Sequence, residues 1–241
     1  MQTRNLPFSK LRSLIPLGIG LAASLIALGQ QPPARGGRGR GRGRGGEAAA
    51  VKRPPLFFRA DWKPAAAAGE AALTQANVAN ENLELKIYGD KNVQELGKPG
   101  DENNPAHVWT GLCATPCAVA LRDKDNFVDL TGLGRIRWTT KTSGLHKVHP
   151  IVKLADGTWL VGEQADGSTS DWLANELSMK DIQWLRLDIA KVETKGNIVE
   201  HPDLSKVDEI GFTDLYPGSG HGPGGWVDVA AIEVYGKPVK R

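Results

Sequence analysis

RIRWTTKTS, residues Arg135–Ser143, has the side-chain pattern of a β-strand with one buried face. Successive side chains of a strand point to opposite sides, so Ile136 and Trp138 share one face while Arg135 and Arg137 share the other. The apolar face is the one expected to pack on a core. We therefore predict that Trp138 is buried and that this segment is a central strand.

Segments of the same character recur along the chain at intervals of roughly 10 to 20 residues, separated by Gly, Asp, Pro and Ser. The predicted strands are Leu83–Gly89, His107–Leu112, Cys117–Arg122, Arg135–Ser143, two runs flanking the Asp156-Gly157 turn, Trp172–Met179, Ile182–Val192, Val207–Leu215 and Trp226–Gly236. Helical signals are few, and the Ala-rich stretch Pro64–Asn80, interrupted by Gly69, predicts a turn or two at most. This pattern predicts an all-β fold, an antiparallel β-sandwich or jelly roll.

Four segments in order resemble the galactose-binding-domain-like jelly rolls, a group that includes many carbohydrate-binding modules. They are FVDLTGLGRIRWTTKTSG (Phe127–Gly144), WLRLDIAKV (Trp184–Val192), PDLSKVDEIGFTD (Pro202–Asp214) and WVDVAAIEVYG (Trp226–Gly236), which together span roughly residues 127–236. The resemblance implies the jelly-roll fold and a binding module more often than an enzyme. It does not supply a ligand.

The start of the chain has the pattern of a secretory signal peptide. The basic stretch MQTRNLPFSKLR precedes the uncharged run Ser13–Gly29, and small residues end that run, which predicts cleavage before Gln30. The alternative is an uncleaved anchor, although a run of about 17 residues is at the short end of what spans a bilayer. We expect an exported protein, periplasmic or extracellular, without a transmembrane segment after cleavage of residues 1–29.

Residues 30–52 are expected to form a disordered linker. Within them, PARGGRGRGRGRGGE (Pro33–Glu47) alternates arginine with glycine and offers no apolar side chain to bury. Such a segment is a solvated spacer, an electrostatic tether to acidic polysaccharide, lipid headgroups or cell wall, or an RNA-binding tail. Export argues against RNA as the partner.

Charge is distributed unevenly between this region and the rest of the chain. The first 50 residues hold 8 of the 30 basic and 1 of the 27 acidic residues, which leaves 22 basic and 26 acidic residues beyond them. The predicted domain, residues 53–241, is therefore mildly acidic and lacks the basic surface of a nucleic-acid-binding protein. We expect no nucleic-acid partner.

The two cysteines, Cys113 and Cys117, enclose Ala-Thr-Pro. In an extended strand their Cα atoms would lie ~13 Å apart, too far for a disulfide. A turn at Thr115-Pro116 would close this distance, and export favours oxidation, so we predict a disulfide. The spacing has three intervening residues instead of the two of a thioredoxin-type pair, and further zinc ligands are not spaced nearby.

The ligand-binding prediction comes from strand parity around a tryptophan. Leu185, Leu187 and Ile189 form an apolar face, which leaves Trp184 and Arg186 on the opposite face. If the strand that holds Arg137 and the strand before the Asp156-Gly157 turn are neighbours of this one, they add three cationic or titratable side chains to that face. The predicted site comprises Arg137, His149, Lys153, Trp184 and Arg186. A tryptophan flanked by cations suits an acidic or hydroxyl-rich ligand such as a sugar; the alternative is a solvated basic face with Trp184 covered by a loop.

Catalytic and metal signals are weaker. Loop acids such as Asp166 and Asp214 are usually solvated turn formers, and His221 lies in a glycine-rich loop, Tyr216–Trp226, typical of a flexible connector. No cofactor is predicted. A structural calcium is left open, with Asp228 and Glu233 as possible ligands.

These observations predict an exported, non-catalytic module that binds carbohydrate or a cell-envelope polymer. Two alternatives stay open: a glycan-processing hydrolase or lyase on a lectin-like sandwich, and a structural envelope protein. Two carboxylates ~5 to 10 Å apart in a cleft would favour the enzyme.

Overall fold

Short strands account for most of the regular structure. The computed structural model describes residues 52–64, 71–97, 101, 103–169, 171–218 and 224–241. The strands are β1 (Leu56–Asp61), β2 (Ala71–Ala72), β3 (Leu83–Gly89), β4 (Gln94–Leu96), β5 (His107–Trp109), β6 (Cys117–Asp123), β7 (Asn126–Asp129), β8 (Arg135–Thr142), β9 (His149–Leu154), β10 (Trp159–Gly162), β11 (Leu173–Ser178), β12 (Trp184–Asp188), β13 (Glu193–Val199), β14 (Val207–Asp214), β15 (Val227–Tyr235) and β16 (Lys237–Lys240). Single 3₁₀ turns at Gln75–Asn77 and Met179–Asp181 complete the list.

Several sequence predictions fall outside the described residues. The predicted signal peptide, the predicted linker up to residue 51, and Gly69 are among them. So is His221, with the centre of the glycine-rich loop.

The strands form two sheets in which every pair of neighbours is antiparallel. The seven-stranded sheet has the order β11-β8-β15-β5-β4-β2, and β1 pairs with the second half of β15. The nine-stranded sheet has the order β13-β12-β10-β9-β14-β6-β3, with β7 and β16 added beside β14. The predicted all-β antiparallel sandwich is confirmed.

One hydrophobic core contains side chains from both sheets. Ile136 and Trp138 of β8 are buried in it, as the alternation of that strand predicted. Val152 of β9 and Phe212 of β14 reach the same core from the other sheet. Burying apolar surface between two sheets is the main stabilising contribution in this fold.

The nine-stranded sheet also buries part of its outer face. Ile151, Trp159 and Leu187 lie in a second apolar cluster there. The turn after β12 brings Val192 against Gly89, where an added Cβ would lie 2.6 Å from Val192 Cγ2 and where φ is +67°. A Cβ would also lie 2.3 Å from the carbonyl oxygen of Pro116, so glycine is required at that position for its left-handed φ and for the close packing around it.

Two predicted strands have different limits in the structure. The strand expected at His107–Leu112 ends at Trp109 because Thr110 starts a turn, in which its carbonyl accepts a hydrogen bond from the amide of Cys113. The stretch expected as one strand at Ile182–Val192 is a strand only from Trp184 to Asp188. Across the described ranges, no helix is long and apolar enough to cross a membrane.

Candidate functional site

The five residues of the predicted ligand-binding face do not share a surface. Arg137 belongs to β8 in the seven-stranded sheet, where its Nη1 lies 3.8 Å from Glu233 Oε2. His149 and Lys153 belong to β9 in the nine-stranded sheet. The condition that these strands are neighbours is not met, because β8 pairs with β11 and β15 in the other sheet.

The assignment of Trp184 to an outer face was also wrong. Its side chain is 2% exposed and lies in the main core, whereas Leu187 lies in the outer apolar cluster. The alternation along β12 was correct, but both faces of the sheet are buried at this strand. The more apolar face of β12, which holds Leu185 and Leu187, therefore packs in the outer cluster and does not face the main core between the sheets. Arg186 is exposed.

His149 and Lys153 do lie on the outer face, and both are already engaged. His149 Nδ1 is 3.0 Å from the carbonyl oxygen of Gly162, and burial lowers the pKa of this imidazole. Lys153 Nζ lies 2.8 Å from Glu209 Oε1 and 3.2 Å from Asp208 Oδ2. Burial alone would lower the pKa of Lys153, but these two carboxylates outweigh it and raise the pKa.

The same carboxylate network covers the aromatic side chains of this face. The Tyr88 hydroxyl donates to Glu209 Oε2 at 2.7 Å, and the Tyr88 ring packs edge-on against Trp159, with centroids 5.0 Å apart. Trp159 is only 7% exposed. Lys153 Nζ lies over the Trp159 ring, 6.0 Å from its centroid, so a sugar could stack on this ring only after that lysine had moved, and we do not place the site here.

A cavity of about 550 Å³ opens beside the edge formed by β12 and β13. Its walls come from the turn after β7, the 3₁₀ turn at Met179–Asp181, the first residue of β12, and the end of β13 with the loop that follows. The lining residues are Leu130, Thr131, Gly132, Met179, Lys180, Ile182, Gln183, Trp184, Ile198, Val199, Glu200, His201, Pro202 and Leu204. We call this space the Trp184 cavity.

Buried apolar side chains line the Trp184 cavity together with exposed apolar and polar ones. Leu130 and Met179 are fully buried, whereas Ile198 is 58% exposed. Glu200 and His201 are exposed, and His201 has a left-handed backbone, with φ +48°. Non-glycine residues rarely adopt that conformation, and they concentrate at binding sites.

The Trp184 side chain lines the cavity but is almost closed to it. Its Nε1 atom is inaccessible to solvent and has no hydrogen-bond partner among the described residues. Leaving a buried donor unpaired costs about 1–3 kcal/mol. A ligand hydroxyl would recover part of that free energy only after the side chains that cover Nε1 had moved. Because the ring is 2% exposed, a ligand would meet its edge and not stack on its face.

Two buried His–Asp pairs lie elsewhere. His146 Nδ1 is 2.6 Å from Asp214 Oδ2, and the Thr110 hydroxyl donates to the same oxygen at 3.1 Å. His107 Nε2 is 3.7 Å from Asp228 Oδ1. Asp214 is thus a buried polar partner, in contrast to the solvated turn former expected from the sequence. Burial raises its pKa.

The residues considered for a metal site and for a disulfide have the following environments in the structure. The described residues contain no group of three or more His, Cys, Asp or Glu side chains that could hold a metal ion. Asp228 accepts from the Trp226 indole at 3.1 Å, and Glu233 accepts from the Tyr235 hydroxyl at 2.8 Å. Cys113 and Cys117 are disulfide-bonded, with Cα atoms 6.3 Å apart.

Sequence reasoning missed most of the Trp184 cavity. Ile198 lies in KGNIVEH, a stretch with too few apolar residues to predict a strand. Lys180 belongs to the one-turn 3₁₀ segment Met179–Asp181, which lies between the two strands predicted at Trp172–Met179 and Ile182–Val192. The signal that was available was the tryptophan itself, since Trp184 does line the cavity although it faces the core.

Comparison with known proteins gives similarities at the level of structure. No family model matches the sequence, and no curated protein matches it. The family 11 carbohydrate-binding module of a cellulosomal cellulase from Clostridium thermocellum is 21% identical, with 71% of this chain and 96% of that chain covered and a TM-score of 0.43. The same kind of module in complex with a β-1,3-1,4-mixed-linked tetrasaccharide is 20% identical, with 73% and 99% covered and a TM-score of 0.42. A family 61 module in complex with β-1,4-galactotriose is 15% identical, with 64% and 88% covered and a TM-score of 0.37.

Proposed function

We propose that residues 53–241 form a non-catalytic carbohydrate-binding module and that the Trp184 cavity is its ligand site. The observation that carries the proposal is the open cavity of about 550 Å³, in which the exposed Ile198 lies beside buried apolar side chains and the polar side chains of Glu200 and His201. An apolar interior with a few polar groups at the edge is the usual character of a small-ligand site. A sugar matches it, since each ring combines apolar C–H groups with hydroxyls.

The composition of the cavity favours binding over hydrolysis. Glycoside hydrolysis by the usual route needs two carboxyl groups facing each other across the scissile bond. Glu200 is the single carboxylate among the described residues that line the Trp184 cavity. We therefore prefer the binding module to the hydrolase alternative. Export to the periplasm or the cell exterior, through residues 1–29, is part of the same proposal.

The test is titration of the purified protein with soluble oligosaccharides. The oligosaccharide that binds most tightly is then titrated into variants of residues that line the Trp184 cavity. β-1,3-1,4-Linked gluco-oligosaccharides, β-1,4-galacto-oligosaccharides and β-1,4-gluco-oligosaccharides are suitable probes. Ile198→Ser removes an exposed apolar contact and should weaken binding roughly tenfold. Leu173→Ser is the matched control, because Leu173 is a comparably exposed strand residue outside the cavity.

A second pair of variants isolates the indole N–H. Trp184→Phe keeps an aromatic ring in the core but removes the donor, and it should weaken binding by about two- to tenfold. Trp159→Phe is the control, since Trp159 is also buried but belongs to the outer cluster. Ligand affinities unchanged by both Ile198→Ser and Trp184→Phe would show that the site lies elsewhere.

A further inference from the structure

A second cavity of about 350 Å³ adjoins the Trp184 cavity and contains three lysines. Thr131, Gly132 and Lys180 line both spaces, so the two are separated by little more than the turn after β7. The remaining lining residues of the second space are Lys52, Pro54, Asp129, Leu133 and Lys237. We call it the lysine cavity.

The ammonium groups of the lysine cavity are not neutralised by the part of the protein that the structure describes. Lys52, Lys180 and Lys237 are exposed, and none of their three side chains makes a hydrogen bond or ion pair with another described residue. Lys237 is aligned with Asp129 across the β16–β7 ladder without forming an ion pair. Three lysines therefore line one small space.

Asp129 is the one carboxylate among the described lining residues, and its hydrogen bonds lie within its own turn. Its Oδ1 accepts from the Thr131 amide at 2.9 Å and from the Thr131 hydroxyl at 2.6 Å. The carboxylate thus holds the turn that separates the two cavities. The lining keeps a formal charge of +2 at neutral pH.

We propose that the lysine cavity binds an anionic substituent of the glycan whose sugar ring occupies the Trp184 cavity. The substituent is a uronate carboxylate or a sulfate ester, which present the same chemistry to a lysine ammonium group. Lys180 is placed to contact both the ring and its charged neighbour. This inference rests on the proposed function and narrows its ligand class to acidic polysaccharides.

The experiment compares three probes with one backbone. A β-1,4-gluco-oligosaccharide, its C6-carboxylate form and its 6-sulfate form, equal in length, are titrated into the protein at 50 and 500 mM NaCl. The charged forms should bind more tightly than the neutral one at low salt, and the difference should shrink at high salt because exposed charge pairs are screened. The two charged arms distinguish uronate from sulfate.

Charge-removing variants assign the effect to the cavity. Lys237→Gln should weaken binding of a charged probe about two- to fivefold and leave the neutral probe unchanged, because Lys237 lines the lysine cavity alone. Lys180→Gln should weaken binding of both probes, and of the charged probe more strongly, because Lys180 lines both cavities. Lys240→Gln is the matched control, since Lys240 is exposed on the same strand as Lys237 but lies outside the cavity. Replacing the five arginines of Pro33–Glu47 by glutamine controls for attraction by the linker.

The outcomes separate this inference from the proposed function. If the charged probes bind no more tightly than the neutral one, the proposal that the lysine cavity binds an anionic substituent is wrong. It is also wrong if Lys240→Gln weakens binding of a charged probe as much as Lys237→Gln does. A preference that disappears only with the linker arginines overturns it as well. In each case neutral-sugar binding that depends on Ile198 would leave the proposed function standing.

Discussion

His146 Nδ1 lies 2.6 Å from Asp214 Oδ2, although 68 positions separate the two residues in the chain. Both side chains are buried, at 3% and 0% exposure. The Thr110 hydroxyl donates to the same carboxylate oxygen, so Asp214 joins β14 to the residues that follow β5 and β8. The contact is a structural hydrogen-bonded centre and does not line the Trp184 cavity.

Removing this centre should destabilise the fold. Asp214→Ala leaves His146 and Thr110 buried without their partner and should lower the free energy of unfolding by ~3–5 kcal/mol, as for other broken buried pairs. Urea denaturation measures the change. Asp125→Ala is the control, because Asp125 is exposed and should change stability by about 0.5 kcal/mol or less. Equal midpoints for the two variants would contradict this assignment.

Trp184→Ala should destabilise the domain about as much as Trp138→Ala does. The two indoles are 2% and 1% exposed and lie in the same core, and emptying a large aromatic site costs ~3–5 kcal/mol. The sequence-based face assignment predicts a much smaller effect at Trp184, so denaturant melts of the two variants discriminate between the assignments. A Trp184→Ala protein with the denaturation midpoint of the wild type would support the sequence-based assignment of Trp184 to the outer face.

Strand alternation predicted the fold well where only one face of a strand is buried. In β8, Ile136 and Trp138 face the core while Arg137 is exposed, so the apolar side identifies the buried side. In β12, Trp184 packs on one side and Leu187 on the other. Parity then separates the two sets correctly but carries no information on which set faces the opposite sheet.

The candidate site was harder to predict because it depends on which strands become neighbours. Arg137 and Lys153 have suitable parity, but the order of strands in the sheets separates them, and that order is set by long-range packing. Strand β13 was missed because most of its side chains are exposed, which removes the alternation that reveals a strand. A cavity beside such an edge leaves little trace in the sequence.

The disulfide between Cys113 and Cys117 should be present in the protein purified without reductant and should contribute modestly to stability. Because it closes a loop of about five residues, the chain-entropy relation gives a loss of ~2 kcal/mol for the Cys113→Ser/Cys117→Ser double variant. Thiol labelling of the unfolded, unreduced protein should find no free thiol. Two labelled cysteines would contradict the prediction, and reduction of the wild type should reproduce the shift of the double variant.

The segment predicted from the sequence to be a linker, residues 30–52, should be dispensable for folding. Its Arg/Gly composition provides no apolar surface to bury, so chains that begin at Gln30 and at Arg53 should have the same melting temperature. Binding to anionic vesicles or acidic polymers that depends on the linker should fall steeply with salt. A loss of several degrees on truncation would show that the linker packs on the domain.

Asp228 should make stability depend on pH. Burial raises its pKa from 3.8 to about 7, against the opposing effects of the Trp226 hydrogen bond and of Lys141. The folded state therefore holds this proton more tightly than the unfolded state does. The contribution to stability is fully present below about pH 4 and is lost as pH rises to about 7.

Asp228→Asn tests this sign directly. The amide keeps an acceptor for the Trp226 indole and has no charge to bury, so the variant should exceed the wild type in unfolding free energy at pH 8, by on the order of 2–4 kcal/mol. At pH 4 the two should be nearly equal. His107, 3.7 Å away, titrates with the opposite sign because burial lowers its pKa, but it is present in both proteins and leaves their difference unaffected to first order. Urea melts at pH 4, 6 and 8 measure the difference, and a variant less stable than the wild type at pH 8 would show that the ionised carboxylate is stabilising.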